Sequence, residues 1–225
     1  EKKTLIPSYS NLSSIKDLEI DIVIITSPSG SHASDARFFL DEGINVLCEK
    51  PIGLSLEEVK NNIDIALKNH IQYGGVFQNR FNEPIKYIKD KIDNGSFGRV
   101  ISSSVKLQWS RPQSYYEDEW HGTWLHDGGV INQQAIHHID ALFYLLGKPS
   151  SLAGFGGNII NKLEAEDTFV GAGVIDNNGF FTLEASTALR PKDLKASIEI
   201  IGTKAQAGIG GSAINVLEYF IQNGQ

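Results

Sequence analysis

Two kinds of hydrophobic spacing divide the chain into two parts. In the first part, short β-branched runs alternate with stretches that carry apolar residues every three or four positions. The runs are typical of parallel strands buried on both faces, and the stretches between them are typical of covering helices. We predict strands at Asp21–Ser27, Asn45–Cys48 and Ile71–Gln78. We predict helices at Ser31–Glu42 and from Ser55 onward.

The second of these helices opens with a capping box, Ser55–Leu56–Glu57–Glu58. Its inward-facing residues are predicted to be Val59, Ile63, Ala66 and Leu67. Strands separated by helices of this length imply right-handed crossovers and therefore a parallel sheet.

Beyond a boundary that we place near Gln78–Glu83, the spacing changes. Strands with alternating apolar residues outnumber helices, and Asn177–Asn178–Gly179 has the composition of a hairpin turn. We predict helices at Glu83–Asn94 and Asn132–Leu146. We predict strands at Val100–Trp109, Phe169–Ile175, Phe180–Ala188 and Ala196–Ile201. The expected fold class is α/β: a partial Rossmann domain with a parallel sheet (residues 1–80), then an α+β domain with a mostly antiparallel open sheet (residues 81–225).

Composition narrows the class of protein. The 225 residues carry a formal net charge of -7, which argues against nucleic acid or an anionic membrane as a partner. The single cysteine, Cys48, excludes an internal disulfide and suits the cytoplasm. Because neither a membrane span nor a signal peptide is evident, we expect a soluble cytoplasmic protein.

A dinucleotide-binding sheet normally opens with a strand, a G-x-G-x-x-G turn and a helix, and this turn is missing from the sequence. The glycine-rich stretch Gly208–Gly211 follows the wrong elements. We therefore expect Glu1 to follow the phosphate-binding turn of a longer domain. The sequence also has no methionine, which indicates either a fragment or the omission of methionine residues.

Lys50 lies in Cys48–Glu49–Lys50–Pro51, at the carboxyl end of a predicted strand, where open α/β sheets bind their ligands. It is either a functional amine or an exposed lysine that closes the strand. The preceding βα loop, Thr26–His32, is rich in small residues and can present backbone N–H groups to a phosphate, a ribose or a carboxamide. The alternative is an ordinary loop with a serine cap.

A second cluster follows Asp127–Gly128–Gly129. Gln133 and His137 are four positions apart and share one face of the predicted helix, whereas the adjacent His138 cannot share that face. His137 is either a site residue or a hydrogen-bonded core histidine. Adjacent histidines without a glutamate one turn away do not match a zinc-binding helix, so we predict no metal.

The loop between Arg111 and Trp124 combines an arginine with several aromatic and hydroxyl side chains. This combination suits a polyol ring with an anionic group, although a packed loop or a subunit contact would have the same composition.

Four ordered motifs resemble the Gfo/Idh/MocA oxidoreductases, which include glucose-fructose oxidoreductase and inositol dehydrogenase. They are the Glu49–Lys50–Pro51 segment, Gln78–Asn82, Trp120–Gly129 and His137–Asp140. The resemblance implies a Rossmann domain that binds NAD or NADP, and a C-terminal domain whose open sheet forms a homo-oligomer, a dimer or tetramer. It also implies that Lys50 lies beside the nicotinamide and that His137 is the acid–base residue.

The remaining site residues predicted with this resemblance fall into two groups. The predicted cofactor contacts are Thr26, Ser27, Pro28, Ser29, His32, Glu49, Lys50, Pro51, Arg80 and Trp120. The predicted substrate contacts are Arg111, Tyr116, Thr123, Gln133 and His138.

One departure from the family pattern affects the substrate prediction. Many members have an aspartate where this chain has Gln133, so a His–Asp dyad is not supported. The string around His137 instead resembles the branch that acts on nucleotide-linked acetamido sugars, including 3-dehydrogenases of UDP-linked uronic acids. We expect oxidation of a secondary hydroxyl of a sugar or nucleotide sugar. The alternatives are a redox-assisted glycosidase and a cofactor-binding paralogue without turnover.

Overall fold

The structure, a computed structural model, describes residues 7–15, 18–176 and 179–222. The N-terminal part has a three-stranded parallel sheet in the order β1-β2-β3, formed by Ile22–Ile25, Asn45–Cys48 and Tyr73–Gly75. The first two strands are each followed by a helix, α1 (His32–Asp41) and α2 (Leu56–Asn69). The third strand is shorter than predicted, because a 3₁₀ turn, Gln78–Phe81, follows within three residues of its end.

The Ser55 side chain caps α2 by accepting from the backbone N–H of Glu58, as the capping box predicts. The predicted inward face of this helix is partly wrong. Ile63 is 42% exposed and Leu67 is 69% exposed, whereas Asn62 and Ala66 are buried. The Asn62 side chain donates to the backbone oxygen of Ala33 in α1 at 2.8 Å, and this polar contact sets which face of α2 turns inward.

The C-terminal part is a seven-stranded sheet in the order β10-β9-β8-β4-β7-β6-β5. Every neighbouring pair is antiparallel except β4 and β7, which are parallel. The strands are β4 (Val100–Gln108), β5 (Pro149–Gly157), β6 (Thr168–Ile175), β7 (Phe180–Ser186), β8 (Lys195–Gly202), β9 (Ala205–Gly210) and β10 (Val216–Gln222). The predicted turn residues Asn177–Asn178 lie outside the described residues, but the strands that they join pair antiparallel.

Two helices, α3 (Glu83–Asp93) and α5 (Ile136–Leu146), cover one face of this sheet. Ile85, Leu142, Phe181 and Ile198 belong to the core that they enclose. Strand β5 is exposed along nearly its whole length, and β9 is rich in glycine and alanine. Neither has the alternating pattern of a half-buried strand, so the sequence does not predict them.

The single helix predicted for Asn132–Leu146 is wrong, because the structure has two: α4 (Gly129–Gln133) and α5. At the break, the N–H of Ala135 bonds to the carbonyl of Val130, five residues back, at 2.8 Å. A regular α-helix bonds four residues back, so this wider turn ends α4. The N–H groups of His138 and Ile139 then bond to Ala135, where α5 begins.

Among the described residues, no helix is both long enough and apolar enough to cross a lipid bilayer.

Candidate active site

Lys50 lies two residues after β2, at the carboxyl end of the parallel sheet. Its Nζ atom donates to the backbone oxygen of Gln133 at 2.7 Å and to the Oε1 atom of Gln133 at 2.9 Å. Burial lowers the pKa of Lys50, while the charges of Glu49 and Asp127 oppose the shift. The amine is therefore held across the junction of the two parts of the chain, with its neutral form favoured relative to a free lysine.

The break between α4 and α5 makes this contact possible. In a continuous helix, the carbonyl of Gln133 would accept from the N–H of His137. Here the helix ends at Gln133, and its carbonyl accepts from Lys50. The sequence predicts that Gln133 and His137 share one face of a single helix. In the structure they lie in two helices, and Gln133 bonds directly to Lys50.

His137 lies in the first turn of α5 and is half-buried. Burial lowers the pKa of its imidazole, and the charge of Lys50 lowers it further. The buried Nδ1 atom has no hydrogen-bond partner among the described residues. A neutral imidazole close to a lysine amine can accept a proton or share one.

Asp127 is a third ionisable group near Lys50, and it is not among the predicted site residues. It is 1% exposed, and its Oδ2 atom accepts from the N–H of Gly122 at 2.8 Å. Its Oδ1 atom has no partner within the described part of the chain. Burial raises the pKa of Asp127, and the bond from Gly122 and the charges of His121 and Lys50 oppose this shift. Its place in the Asp127–Gly128–Gly129 motif is the only signal for it in the sequence.

The loop predicted to line a cofactor is fixed by His32, which is 2% exposed. The two ring nitrogens of His32 lie 2.6 Å from the Pro51 carbonyl oxygen and 2.7 Å from the Ser27 carbonyl oxygen. His32 therefore holds the Thr26–His32 loop against the turn that carries Lys50. Its ring stabilises the loop and is too buried to contact a ligand.

Other members of this loop have different environments. Thr26 and Pro28 are exposed, Ser29 is buried, and the Ser27 hydroxyl donates to Asp35 at 2.6 Å. The alternative of a serine cap does not hold for Ser31, whose side chain makes no cap hydrogen bond. Glu49 accepts from the N–H of Lys50 at 3.2 Å.

Arg80, predicted to bind the cofactor, is paired with Asp140 of α5. Its guanidinium donates to both carboxylate oxygens, at 2.8 Å from Nε and 2.5 Å from Nη2. It also lies over the rings of Phe77 and Tyr144. This arginine joins the 3₁₀ turn to the helix of His137, and its charge is already matched within the chain.

The loop with Arg111 and Trp120 is packed around aromatic rings. Arg111 lies over the rings of Trp109 and Tyr115 and pairs with Asp193 at 3.2 Å. The ring of Trp120 lies 3.6 Å, centroid to centroid, from that of His121.

Two predicted substrate contacts in this loop have partners within the protein. Tyr116 is 8% exposed, and its hydroxyl lies 2.6 Å from the Thr187 hydroxyl. The Thr123 hydroxyl donates to the carbonyl of Trp120 and accepts from the N–H of His126. These bonds shape the loop, and direct contacts of Tyr116 and Thr123 with a substrate stay predictions.

His138, also predicted to contact the substrate, is 1% exposed, and its ring lies edge-on to Trp109. Burial lowers its pKa to about 4, and the charge of His137 contributes. This position argues against direct contact with a substrate. Within the described ranges, no group of three or more His, Cys, Asp or Glu side chains is arranged to hold a metal ion.

Clefts of ≈ 380 and ≈ 520 Å³ lie in the described part of the chain, and neither is lined by Lys50 or His137. The first borders α4 and contains Glu166, a residue that the sequence does not single out. In the sequence, Glu166 lies near the acidic residues Glu164 and Asp167, and this composition is typical of a solvent-exposed turn.

Comparison with known proteins supports the same architecture. Residues 1–75 match the family described as "Oxidoreductase family, NAD-binding Rossmann fold". Residues 85–207 match the family described as "GFO/IDH/MocA C-terminal domain". The chain belongs to the GFO/IDH/MocA oxidoreductase family. The predicted fold class and the family resemblance are confirmed.

The chain is similar to members of this family with solved structures. The WlbA dehydrogenase from Bordetella pertussis, in complex with NADH and UDP-GlcNAcA, is 30% identical with a TM-score of 0.92, over 96% of this chain and 63% of that chain. WlbA from Chromobacterium violaceum, with the same ligands, is 30% identical with a TM-score of 0.91, over 96% of this chain and 64% of that chain.

Among curated relatives, the scyllo-inositol 2-dehydrogenase (NAD(+)) of Bacillus subtilis is 29% identical over 212 residues, which are 87% of this chain and 57% of that protein. The chain thus spans between 57% and 64% of the length of these GFO/IDH/MocA relatives.

Proposed function

We propose that this chain carries the reacting centre of an NAD(P)-dependent dehydrogenase that oxidises a secondary hydroxyl group of a sugar or nucleotide-linked sugar. The observation that carries the proposal is the Lys50 amine, which is bonded to Gln133 at the α4–α5 break and is electrostatically coupled to His137. A lysine at the carboxyl end of a sheet and a histidine at the start of α5, both with lowered pKa values, form a site suited to proton transfer.

The residues present fit a nicotinamide cofactor at this place. The carboxyl ends of β1 and β2 meet at one edge of the sheet, and the exposed Thr26 and Pro28 lie there with the Lys50 turn. Ligands bind at this edge in open α/β sheets. A nicotinamide held here would supply the hydride acceptor for the carbon that carries the hydroxyl group.

Side chains of this protein accept the proton of that hydroxyl group. Either Lys50 or His137 accepts it, because burial lowers the pKa of each and so favours the neutral form relative to a free side chain. Lys50, once protonated, stabilises negative charge on the substrate oxygen. Gln133 is a neutral amide and cannot accept the proton, but it orients the Lys50 amine.

A nucleotide-linked uronic acid is our preferred substrate class. It is supported by the two WlbA structures with UDP-GlcNAcA, each 30% identical to this chain. Oxidation at C3 agrees with the resemblance of the His137 segment to the 3-dehydrogenase branch.

The test uses the full-length protein, NAD or NADP, and a panel of UDP-GlcNAcA, scyllo-inositol and glucose 6-phosphate. We expect reduction of the nicotinamide with UDP-GlcNAcA, and a loss of turnover of at least about a hundredfold in Lys50→Met. Lys60→Met, an exposed lysine on α2, is the matched control. Normal turnover in Lys50→Met would remove Lys50 from the mechanism, and free sugar without net reduction would indicate a glycosidase.

We also propose a homo-oligomer, a dimer or tetramer, that forms through the sheet face opposite α3 and α5. Phe155 and Val170 are cross-strand partners on this face, and they are 89% and 52% exposed. Phe180, at 67% exposure, lies on the same face two strands away. Exposed apolar side chains that share one sheet face mark an interaction surface, so Phe155→Glu should reduce the mass measured by light scattering.

A further inference from the structure

The cleft of ≈ 380 Å³ lies between α4 and the segment that joins β5 to β6. Its lining includes the apolar residues Trp124 and Phe169, here called the apolar wall, and the polar residues Asn132, Asn158, Glu164 and Glu166, here called the polar wall. A cleft lined by both kinds of residue is suited to a small ring with an apolar face and a polar edge.

The two amides of the polar wall use their donors within the protein. The side-chain N–H₂ group of Asn132 donates to the carbonyl of Gly128 at 3.0 Å. That of Asn158 donates to the carbonyl of Leu163 at 2.6 Å. Each amide therefore has its Oδ1 atom, an acceptor, left for a ligand.

The two carboxylates are each half engaged. Glu164 Oε2 accepts from the N–H of Trp124 at 3.1 Å, and Glu166 Oε1 accepts from the N–H of Ile131 at 3.2 Å. The Oε2 atom of Glu166 is buried beside Gly129 and has no partner among the described residues, so a donor in the cleft would bond to Oε1 instead. Burial raises the pKa of Glu166, and backbone hydrogen bonds from Glu166 itself and from Ile131 oppose the shift.

The apolar wall supplies the complementary surface. Trp124 is 54% exposed, and Phe169 packs against a buried cluster that includes Val130 of α4. No lysine or arginine lines the cleft, so nothing in its described lining would neutralise a phosphate. The ligand must therefore bring hydrogen-bond donors on its edge and an apolar face, and carry no phosphate at this end.

We propose that this cleft binds a sugar-like ring whose hydroxyl or amino groups donate to Glu166 and Glu164 while one ring face lies on Trp124. The inference goes beyond the proposed function and stands without hydride transfer, because it concerns binding alone. The cleft is linked to the reacting centre through α4, where Asn132 immediately precedes the Gln133 that holds Lys50.

The test measures direct binding to the full-length protein by ligand-observed NMR titration with glucosamine and N-acetylglucosamine, with inorganic phosphate as the competitor. Glu166→Gln keeps the size of the side chain but replaces an acceptor with a donor, and it should weaken glucosamine binding at least about tenfold. Trp124→Ala should weaken both sugars similarly. Glu57→Gln, an exposed carboxylate on α2, should leave binding unchanged.

Thermal melts first establish that each variant is folded. Equal sugar binding in the wild type, Glu166→Gln and Trp124→Ala would overturn the proposal, as would the absence of sugar binding or displacement by phosphate. Lys50→Met separates the two hypotheses: it should abolish turnover under the proposed function but leave binding in the cleft intact.

Discussion

The Nζ atom of Lys50 lies within hydrogen-bond distance of two oxygens of one residue, the backbone O and the side-chain Oε1 of Gln133. The two residues come from the two parts of the chain. Because α4 ends at Gln133, the same break in the helix sets the position of His137 at the start of α5. The lysine and the histidine therefore depend on one junction for their relative placement.

Changing the charge of Gln133 should move the titration of Lys50. Burial lowers the pKa of Lys50, and a carboxylate at the Oε1 position would favour the ammonium form. In Gln133→Glu, the limb of the pH profile of kcat/KM that reports Lys50 should shift to higher pH. Turnover at neutral pH should fall if the free amine accepts the proton.

Gln133→Leu provides the opposite change. It removes one hydrogen bond that favours the ammonium form but keeps the bond to the backbone oxygen. The same limb should then shift to lower pH. Shifts of equal sign in Gln133→Glu and Gln133→Leu would show that Gln133 does not tune Lys50.

The elements that position Lys50 could be predicted from the sequence, because β-branched runs and helix stops are local signals. Strand β2 has the predicted bounds, Asn45–Cys48, and α1 and α3 end within a residue of their predicted ends. The break at Ala135 could not be predicted in this way. The apolar pattern runs through it without interruption, and tertiary contacts such as the bond from Lys50 accompany the break.

Buried polar groups are the second kind of feature that the sequence did not reveal. Asp127 and Glu166 have charged side chains, which are usually exposed, yet Asp127 is 1% exposed and the Oε2 atom of Glu166 is buried. Arg80 illustrates the reverse case. The family resemblance implied a cofactor contact for it, but its partner is Asp140, 60 residues along the chain.

Replacing His138 with Phe should make the protein less sensitive to acid. Burial lowers the pKa of His138 from 6.5 to about 4. Between these values the unfolded chain binds a proton that the folded protein does not, so stability is lost as the pH falls. This contribution is at most about 3 kcal/mol.

The measurement is the free energy of unfolding in urea at several pH values. Because neither ring nitrogen of His138 has a partner among the described residues, His138→Phe should be at least as stable as the wild type at neutral pH. Its advantage should then grow as the pH falls from 6.5 toward 4. An advantage that is constant with pH would mean that His138 titrates normally in the folded protein.

The ion pair of Arg80 and Asp140 should contribute modestly to stability. The arginine side chain is 40% exposed and the aspartate side chain 12%, so solvent screens part of the attraction. A double-mutant cycle with Arg80→Gln and Asp140→Asn should give a coupling free energy of about 1 kcal/mol, measured by urea unfolding. Arg80→Lys should recover only part of it, because an ammonium cannot bond to both oxygens in the plane of a guanidinium. A coupling free energy indistinguishable from zero would contradict the conclusion that this ion pair stabilises the contact between the 3₁₀ turn and α5.

Two glycines with the same backbone geometry allow the packing around Glu166 to be tested. Gly129 and Gly95 both have φ +79, a conformation that costs an alanine about 1–2 kcal/mol. An added Cβ at Gly95 would meet nothing within 4 Å, whereas at Gly129 it would lie 2.1 Å from Glu166 Oε2. Gly129→Ala should therefore lower the free energy of unfolding by about 1–3 kcal/mol more than Gly95→Ala. The excess should shrink when Gly129→Ala is combined with Glu166→Ala, because the clashing carboxylate is then absent. Equal losses in the two single variants would show that the Glu166 side chain can move away from Gly129, and that the wall of the cleft is not fixed.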